Sequence, residues 1–227
     1  MGYVSDSVYH APSGVDYAGE TAVVVAGDMI DAQPLMAHVK KVVGYAPESM
    51  TKSRPQSLLS NWAVDAVVAR TPEITGVKPD VGILNIGGMR VDMPQGDVLY
   101  DDIASMFPFR NFISLVKLKG ADLENIFKFF ARKRTEAIGG DVRLTVSDGK
   151  IDELLVNGEP VDAEKVYTVV TVDFLLDGGD SLYAAKNAVG LEITDIVLFD
   201  LIYGYVQDLT AEGKNIESAL DDRIIIK

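Results

Sequence analysis

The stretch Asp80 to Gly120, DVGILNIGGMRVDMPQGDVLYDDIASMFPFRNFISLVKLKG, constrains this chain more than any other. Val81 to Leu84 is an apolar run long enough for a buried strand and too short for a helix. Asn85-Ile86-Gly87-Gly88 interrupts it, and Gly87 and Gly88 permit positive φ and a close approach of the backbone to another group. Arg90 follows, a planar fork of donors suited to carboxylate or phosphate. In Phe107-Pro108-Phe109-Arg110-Asn111, the proline disfavours regular helix in the residue before it. Phe112 to Leu118 then reads as a strand up to Lys119-Gly120. A strand ending in glycines and an arginine, beside a loop with an aromatic and an amide, has the makings of a small-molecule site. Taken singly, Gly-Gly after a strand is more often only a turn, and a lone arginine is more often solvated.

The 227 residues suffice for one large domain or two small ones, and 48% apolar with 24% charged residues is ordinary for a globular protein. Lys+Arg 21 against Asp+Glu 34 leaves a net charge of −13. That balance disfavours nucleic acid and anionic membrane surfaces, both of which select basic patches. A small anion held by one or two arginines remains compatible with it. The absence of cysteine removes disulfides, thiol nucleophiles and Cys metal sites. No window approaches the roughly 18 apolar residues of a membrane span. The N-terminal MGYVSDSVYHAPS has neither the basic start nor the apolar core of a signal peptide. The chain is equally compatible with the mature part of an exported protein.

Along the chain, Thr21 to Ala26 reads as a strand or an extended lead-in. Asp31 to Val43 carries Leu35, Met36, Val39, Val42 and Val43 at the spacing of an amphipathic helix, stopped by Gly44 and Pro47. Ser57 or Ser60 can cap a helix with a core face of Leu59, Trp62, Ala63, Ala66 and Val67. Arg54 lies just before that helix, where an arginine can aim at an anion that the helix end also favours. Ala121 to Lys133 is a further helix through Leu123, Ile126, Phe127 and Phe130. Asp141–Val146, Ile151–Val156 and Val166–Asp173 are strands, with turns at Ser147–Lys150 and Asn157-Gly158. Phe174-Leu175-Leu176-Asp177-Gly178-Gly179-Asp180 mirrors the opening pattern of strand, aromatic, double glycine and acid. Asp195–Leu209 is a helix and Arg223–Ile226 a closing strand.

Several chemistries lack the residues they need. With only His10 and His38, neither near a carboxylate cluster in sequence, a Ser-His-Asp arrangement has almost no candidate base. A dinuclear phosphatase needs several His and Asp ligands, which are missing. Neither a Walker loop nor a GxGxxG is present. Asp101/Asp102 and Asp177/Asp180 sit in turn contexts, where solvated or capping roles are commoner than acid–base work. What remains is suited to binding. Phe109 and Phe174 are loop aromatics, Arg54 and Arg90 are anion donors, Asn85 and Asn111 are amide readers, and Asp180 is an acceptor. Phenyl faces can sandwich a flat base, each stack worth roughly 1–3 kcal/mol. Aspartate suits hydroxyl groups and guanidinium suits phosphate.

These pieces, in order, resemble the C-terminal domain of the 5'-nucleotidase family. Asn85-Ile86-Gly87-Gly88-Met89-Arg90 is similar to N-x-G-G-I-R, Pro108-Phe109-Arg110-Asn111 to P-F-G-N, and Phe174 to Asp180 to F-x-x-x-G-G-D. The resemblance implies an α+β fold of mixed sheets with flanking helices, with residues 1–48 a lead-in carrying one helix and 49–227 the substrate-binding domain. It also implies that Phe109 and Phe174 sandwich the base and that Arg90 and Arg54 contact phosphate. Asn85 would contact the base and Asp180 the ribose hydroxyls, with Gly87, Gly88, Asn111 and Gly179 completing the site. Catalysis would fall to a separate metallophosphoesterase domain or chain holding divalent metal ions, with no cofactor on this chain. A periplasmic, cell-envelope or secreted location follows by the same resemblance. The rival expectation is a binding or scaffold module that keeps the fold without nucleotide affinity. The chain departs from the family pattern at Arg110, where glycine is usual, at Ser181-Leu182-Tyr183 after the GGD, and at Pro55-Gln56-Ser57.

Overall fold

The computed structural model describes residues 2–34, 36–133 and 135–227. They fall into two compact units, Met1–Val42 and Val43–Lys227.

In the first unit, β1 (Tyr3–Ser5), β2 (Val8–His10) and β3 (Asp16–Ala18) form an antiparallel sheet in that order, followed by α1 (Glu20–Ala32). Asp6 and Ser7 join β1 to β2 with φ of 49° and 63°, the positive values that a two-residue hairpin loop demands. Alternation along the strands puts Tyr3, Ser5, His10 and Asp16 on one face. Ser5 Oγ lies 2.9 Å from His10 Nε2, and His10 Nδ1 lies 3.0 Å from Asp16 Oδ1. His10 therefore does have a carboxylate neighbour, supplied by an adjacent strand rather than by nearby sequence. Ser5 and Asp16 are exposed, and the hollow lined by Tyr9, Ala26 and Met29 adjoins the opposite face.

Two expectations are corrected here. Thr21–Ala26 lies inside α1, since the strand preference of its valines is a fraction of a kcal/mol and does not decide the local structure. The helix expected over Asp31–Val43 does not form. Pro34 supplies no amide donor, Gln33 and residues 36–40 are turns, and Val42 and Val43 enter β4 (Val42–Ala46). Leu35, counted in that helix, lies outside the described residues.

The second unit continues with α2 (Leu58–Thr75), β5 (Val81–Leu84), β6 (Gly96–Leu99), α3 (Tyr100–Met106), β7 (Phe112–Lys119) and α4 (Gly120–Arg132). After these come β8 (Ala137–Gly139), β9 (Val142–Ser147), β10 (Lys150–Val156), β11 (Glu159–Pro160), β12 (Val166–Val172), β13 (Gly190–Val197), α5 (Leu198–Ala211) and β14 (Ile224–Ile226). The central sheet runs β13-β7-β12-β5-β8, and a second sheet runs β11-β10-β9-β14. Ser57 caps α2 by accepting from the Ser60 amide at 3.1 Å, while Ser60 Oγ accepts from the Ser57 amide at 2.9 Å. The buried face of α2 includes Leu59, Trp62, Ala63, Ala66 and Val67, and it packs on β5. Gly82 makes that contact possible, since a Cβ there would stand 2.5 Å from a Val68 methyl. Leu123, Ile126, Phe127 and Phe130 bury one stripe of α4. Arg223 joins β14 to α2 and β8 by bonding Asp65 at 2.8 Å and the Ile138 carbonyl at 3.1 Å.

The sheet register sets where a site can form. β12 and β5 are parallel neighbours, while β7 runs antiparallel to β12 with Ile113 opposite Val172. The C-terminal ends of β5 and β12 and the start of β7 therefore emerge at the same edge. Asn85, Asn111 and Asp173-Phe174 follow directly from those three strands. Loops beyond the carboxyl ends of parallel strands are where open sheets with helices on their faces commonly bind ligands.

Candidate functional site

From the end of β5 the chain passes through Asn85 in an extended conformation into a single 3-10 turn, Ile86–Gly88. Gly88 N–H donates to the Asn85 carbonyl at 3.0 Å and Met89 N–H to the Ile86 carbonyl at 3.2 Å. Neither Gly87 nor Gly88 has positive φ. Gly88 is needed for room: a Cβ would stand 2.9 Å from Asn85 Oδ1. The buried Asn85 amide donates through Nδ2 to Asp180 Oδ2 at 3.1 Å, so the two ends of the sequence pattern meet. Asp180 adopts φ 51°, ψ 25°, left-handed values that aspartate tolerates better than most side chains.

Phe174 lies in the 3-10 turn Asp173–Leu175, 45% exposed beside a fully buried Leu175. Asp173 Oδ1 accepts from the amides of Phe112 at 3.0 Å and Phe174 at 2.8 Å, fastening this turn to the start of β7. Gly179 packs directly on it, since a Cβ there would fall 1.9 Å from the Phe174 carbonyl oxygen. Phe109, 47% exposed, lines a small, shallow, solvent-open cleft together with Asn85, Gly88, Asn111 and Leu198. The Asn111 carbonyl accepts from the Leu198 amide at 2.8 Å, which ties this loop to the start of α5.

The structure thus brings Asn85, Gly88, Phe109 and Asn111 to one cleft. Gly87 and Asp180 adjoin it, the Gly87 Cβ position being 3.6 Å from Asp180 Oδ2, and Gly179, next to Asp180 in the chain, packs on Phe174, which is not itself part of the cleft lining. Arg90 stands over Phe109, with Cζ 5.8 Å from the ring centroid, and makes only a long 3.5 Å contact to the Gly87 carbonyl.

Arg54 is placed differently. Its Nη2 bonds both oxygens of Glu136 at 3.0 and 3.1 Å, and its Nε donates to the Thr135 carbonyl at 2.8 Å. Glu136 is 1% exposed, and its Oε2 also accepts from the Ile86 amide at 2.7 Å. Arg54 therefore reaches the Gly-Gly turn through a buried carboxylate. Sequence inspection missed Glu136, since an isolated acid beside a short strand has no periodic signature and its partner is 82 residues away. It also missed Lys52, whose ammonium donates to the Met89 carbonyl and, at 3.3 Å, to that of Arg90.

Chemically, this arrangement offers exposed aromatic faces, amide and carboxylate hydrogen-bonding groups, and a guanidinium. Among the described residues no group of three or more His, Asp or Glu side chains could hold a metal ion.

The family described as 5'-nucleotidase, C-terminal domain, matches residues 36–187, well over half of the chain. The chain belongs to that family. Among its relatives, protein UshA of Escherichia coli K12 is 26% identical over 145 residues, covering 62% of this chain and 26% of that protein. Cell wall protein Lmo0130 of Listeria monocytogenes is 26% identical over 197 residues, covering 80% of this chain and 25% of that protein. The chain thus spans about a quarter of the length of these curated relatives. A solved 5'-nucleotidase precursor from Thermus thermophilus superposes with a TM-score of 0.77 at 23% identity, over 92% of this chain and 44% of that one. That likeness shows the fold, which is α+β with mixed sheets and flanking helices. No helix among the described residues is long and apolar enough to cross a membrane.

Proposed function

We propose that the Val43–Lys227 unit is a nucleoside- and nucleotide-binding specificity domain, with the base held between Phe109 and Phe174. One observation carries this reading. Phe109, half exposed, lines the cleft with Asn85, Gly88 and Asn111, and Asn85 bonds Asp180, whose neighbour Gly179 packs on the turn carrying the half-exposed Phe174. Apolar rings left in solvent at a junction of fastened loops give no stability there, whereas a stacked base would bury them. In this reading Asn85 and Asn111 face the base edge, Asp180 accepts from ribose hydroxyls and Arg90 donates to phosphate. Arg54 acts through Glu136, holding the Ile86 amide rather than the phosphate. Hydrolysis of the phosphate ester belongs to a separate metallophosphoesterase domain or chain that supplies the divalent metal ions. A periplasmic or cell-envelope setting is part of the proposal, and a relative named as a cell wall protein supports it.

The test is calorimetric titration of the full chain with adenosine, AMP and UDP-glucose. Saturable binding of at least one, lost in a Phe109→Ala/Phe174→Ala double variant that stays folded, is expected. No heat from any of them would favour a scaffold module instead. Robust phosphatase turnover by the purified chain with Mn²⁺, Zn²⁺ or Co²⁺ would overturn the division of labour.

A further inference from the structure

A second hollow, of about 220 Å³, shares Phe107 and Phe109 with the cleft and is lined as well by Tyr100, Arg110, Phe199 and Asp200. Its rings are held in fixed geometry. Tyr100 meets Phe199 edge-on at 5.4 Å and 77°, and Phe199 stacks on Tyr203 at 5.8 Å and 5°. Its charged groups are uncommitted. Arg110 and Asp200 are both exposed, and neither side chain makes a hydrogen bond or ion pair among the described residues. Arg54, Arg70 and Arg223, by contrast, each spend their guanidinium on a carboxylate.

In a chain of net charge −13, an exposed guanidinium beside fixed aromatic rings is a local attractor for an anion carrying a flat ring. The hollow also repeats the inventory of the cleft. Phe109 is common to both, and Arg110 and Asp200 line the second as a guanidinium and a carboxylate, groups that Arg90 over Phe109 and Asp180 bonded to Asn85 bring to the neighbourhood of the first. Arg110 occupies the position between Phe109 and Asn111 where the sequence pattern has glycine, so the departure and the hollow coincide.

We propose that this hollow is a second subsite for an anionic aromatic ligand of the nucleotide class. Its phosphate meets Arg110, its ring meets the Tyr100–Phe199 aromatic edge, and a hydroxyl or amine donates to Asp200. The proposal rests on the reading above only for the class of ligand, since its residues other than Phe107 and Phe109 do not line the cleft.

Amide chemical shifts of the full chain, titrated with AMP into the millimolar range, separate the sites. Expected are shifts at Gly87 and Gly88 from the cleft and, in a distinct saturation step, at Phe199 and Asp200. Arg110→Gly should weaken the second step at least tenfold and leave the first within twofold. Arg110 is exposed and unpaired, so that variant should fold, and an unchanged thermal midpoint checks it. Shifts at Phe199 and Asp200 without shifts at Gly87 and Gly88 would support the subsite and sink the cleft reading. Shifts confined to Gly87 and Gly88 would do the reverse. No shift at Phe199 and Asp200, or a second step unaffected by Arg110→Gly, overturns the subsite.

Discussion

Removing the Glu136 carboxylate should be among the most damaging single changes to this molecule. The side chain is 1% exposed and accepts from three directions, twice from Arg54 Nη2 and once from the Ile86 amide. In Glu136→Ala the Ile86 amide becomes a buried donor with its acceptor gone, at a cost of about 1–3 kcal/mol. Breaking a buried pair by deleting one member costs about 3–5 kcal/mol when the survivor stays buried. Arg54 is 34% exposed and can turn partly to water, so the lower end or less applies to that half. A combined loss of about 3 kcal/mol follows, a large fraction of the roughly 5–15 kcal/mol that stabilises a typical domain. Urea unfolding followed by tryptophan fluorescence reads it, because the single tryptophan, Trp62, is buried in α2. Glu136→Gln, which keeps an acceptor for Ile86 and loses only the charge, should lose about half as much. A Glu136→Ala loss below about 0.5 kcal/mol, in the range of neutral surface changes, would refute the claim that this carboxylate holds the turn.

Other consequences follow from the same coordinates. Arg90→Ala should weaken AMP binding by roughly 1.5–3 kcal/mol while leaving adenosine nearly unchanged, and added salt should narrow the AMP–adenosine gap in the wild type. Equal losses for both ligands would make Arg90 a prop of the loop. Gly179→Ala forces a Cβ to within 1.9 Å of the Phe174 carbonyl oxygen and should cost about 1–3 kcal/mol in thermal unfolding, with adenosine affinity falling alongside. A silent variant would mean that the Phe174 turn yields freely. The hydrogen bond from Arg223 holds the Asp221 carboxyl below its ordinary 3.8, so this contribution to stability is complete above pH 3.8 and fades as pH falls through the lowered folded value. Asp221→Asn should therefore flatten the acid limb of the stability–pH curve, and an unchanged limb would count against the link.

Much of the second unit was legible because its signals are local. Leu59, Trp62, Ala63, Ala66 and Val67 repeat at helical spacing behind a serine cap, and Asn157-Gly158 marks a hairpin with φ of 55° and 76°. The N-terminal part was misread where local signals were weak. The strand preference of Val23, Val24 and Val25 is easily overridden, and the helix expected over Asp31–Val43 ran across Pro34 and into a strand at Val42. At the site, the residue types in Asn85–Arg90, Phe109–Asn111 and Phe174–Asp180 were visible, and the register of β5, β7 and β12 brings these segments to one edge. Of the two freedoms expected of Gly87-Gly88, positive φ is not used, whereas close approach is used at Gly88, and Gly179 makes room in the same way. The partners of Arg54 and His10 were invisible because pairing across 82 residues, or across neighbouring strands, leaves no mark in a linear reading.

The central claim is that Phe109 and Phe174 grip the two faces of one base. Calorimetric titration of adenosine into the wild type, Phe109→Ala and Phe174→Ala tests it most directly. Both rings are about half exposed, at 47% and 45%, so truncation should leave the unfolding midpoint nearly unchanged. Each variant should lose roughly 1–3 kcal/mol of binding free energy, a drop of about 5- to 150-fold in affinity. Wild-type affinity retained in either variant, or loss of the fold in either, would contradict the account.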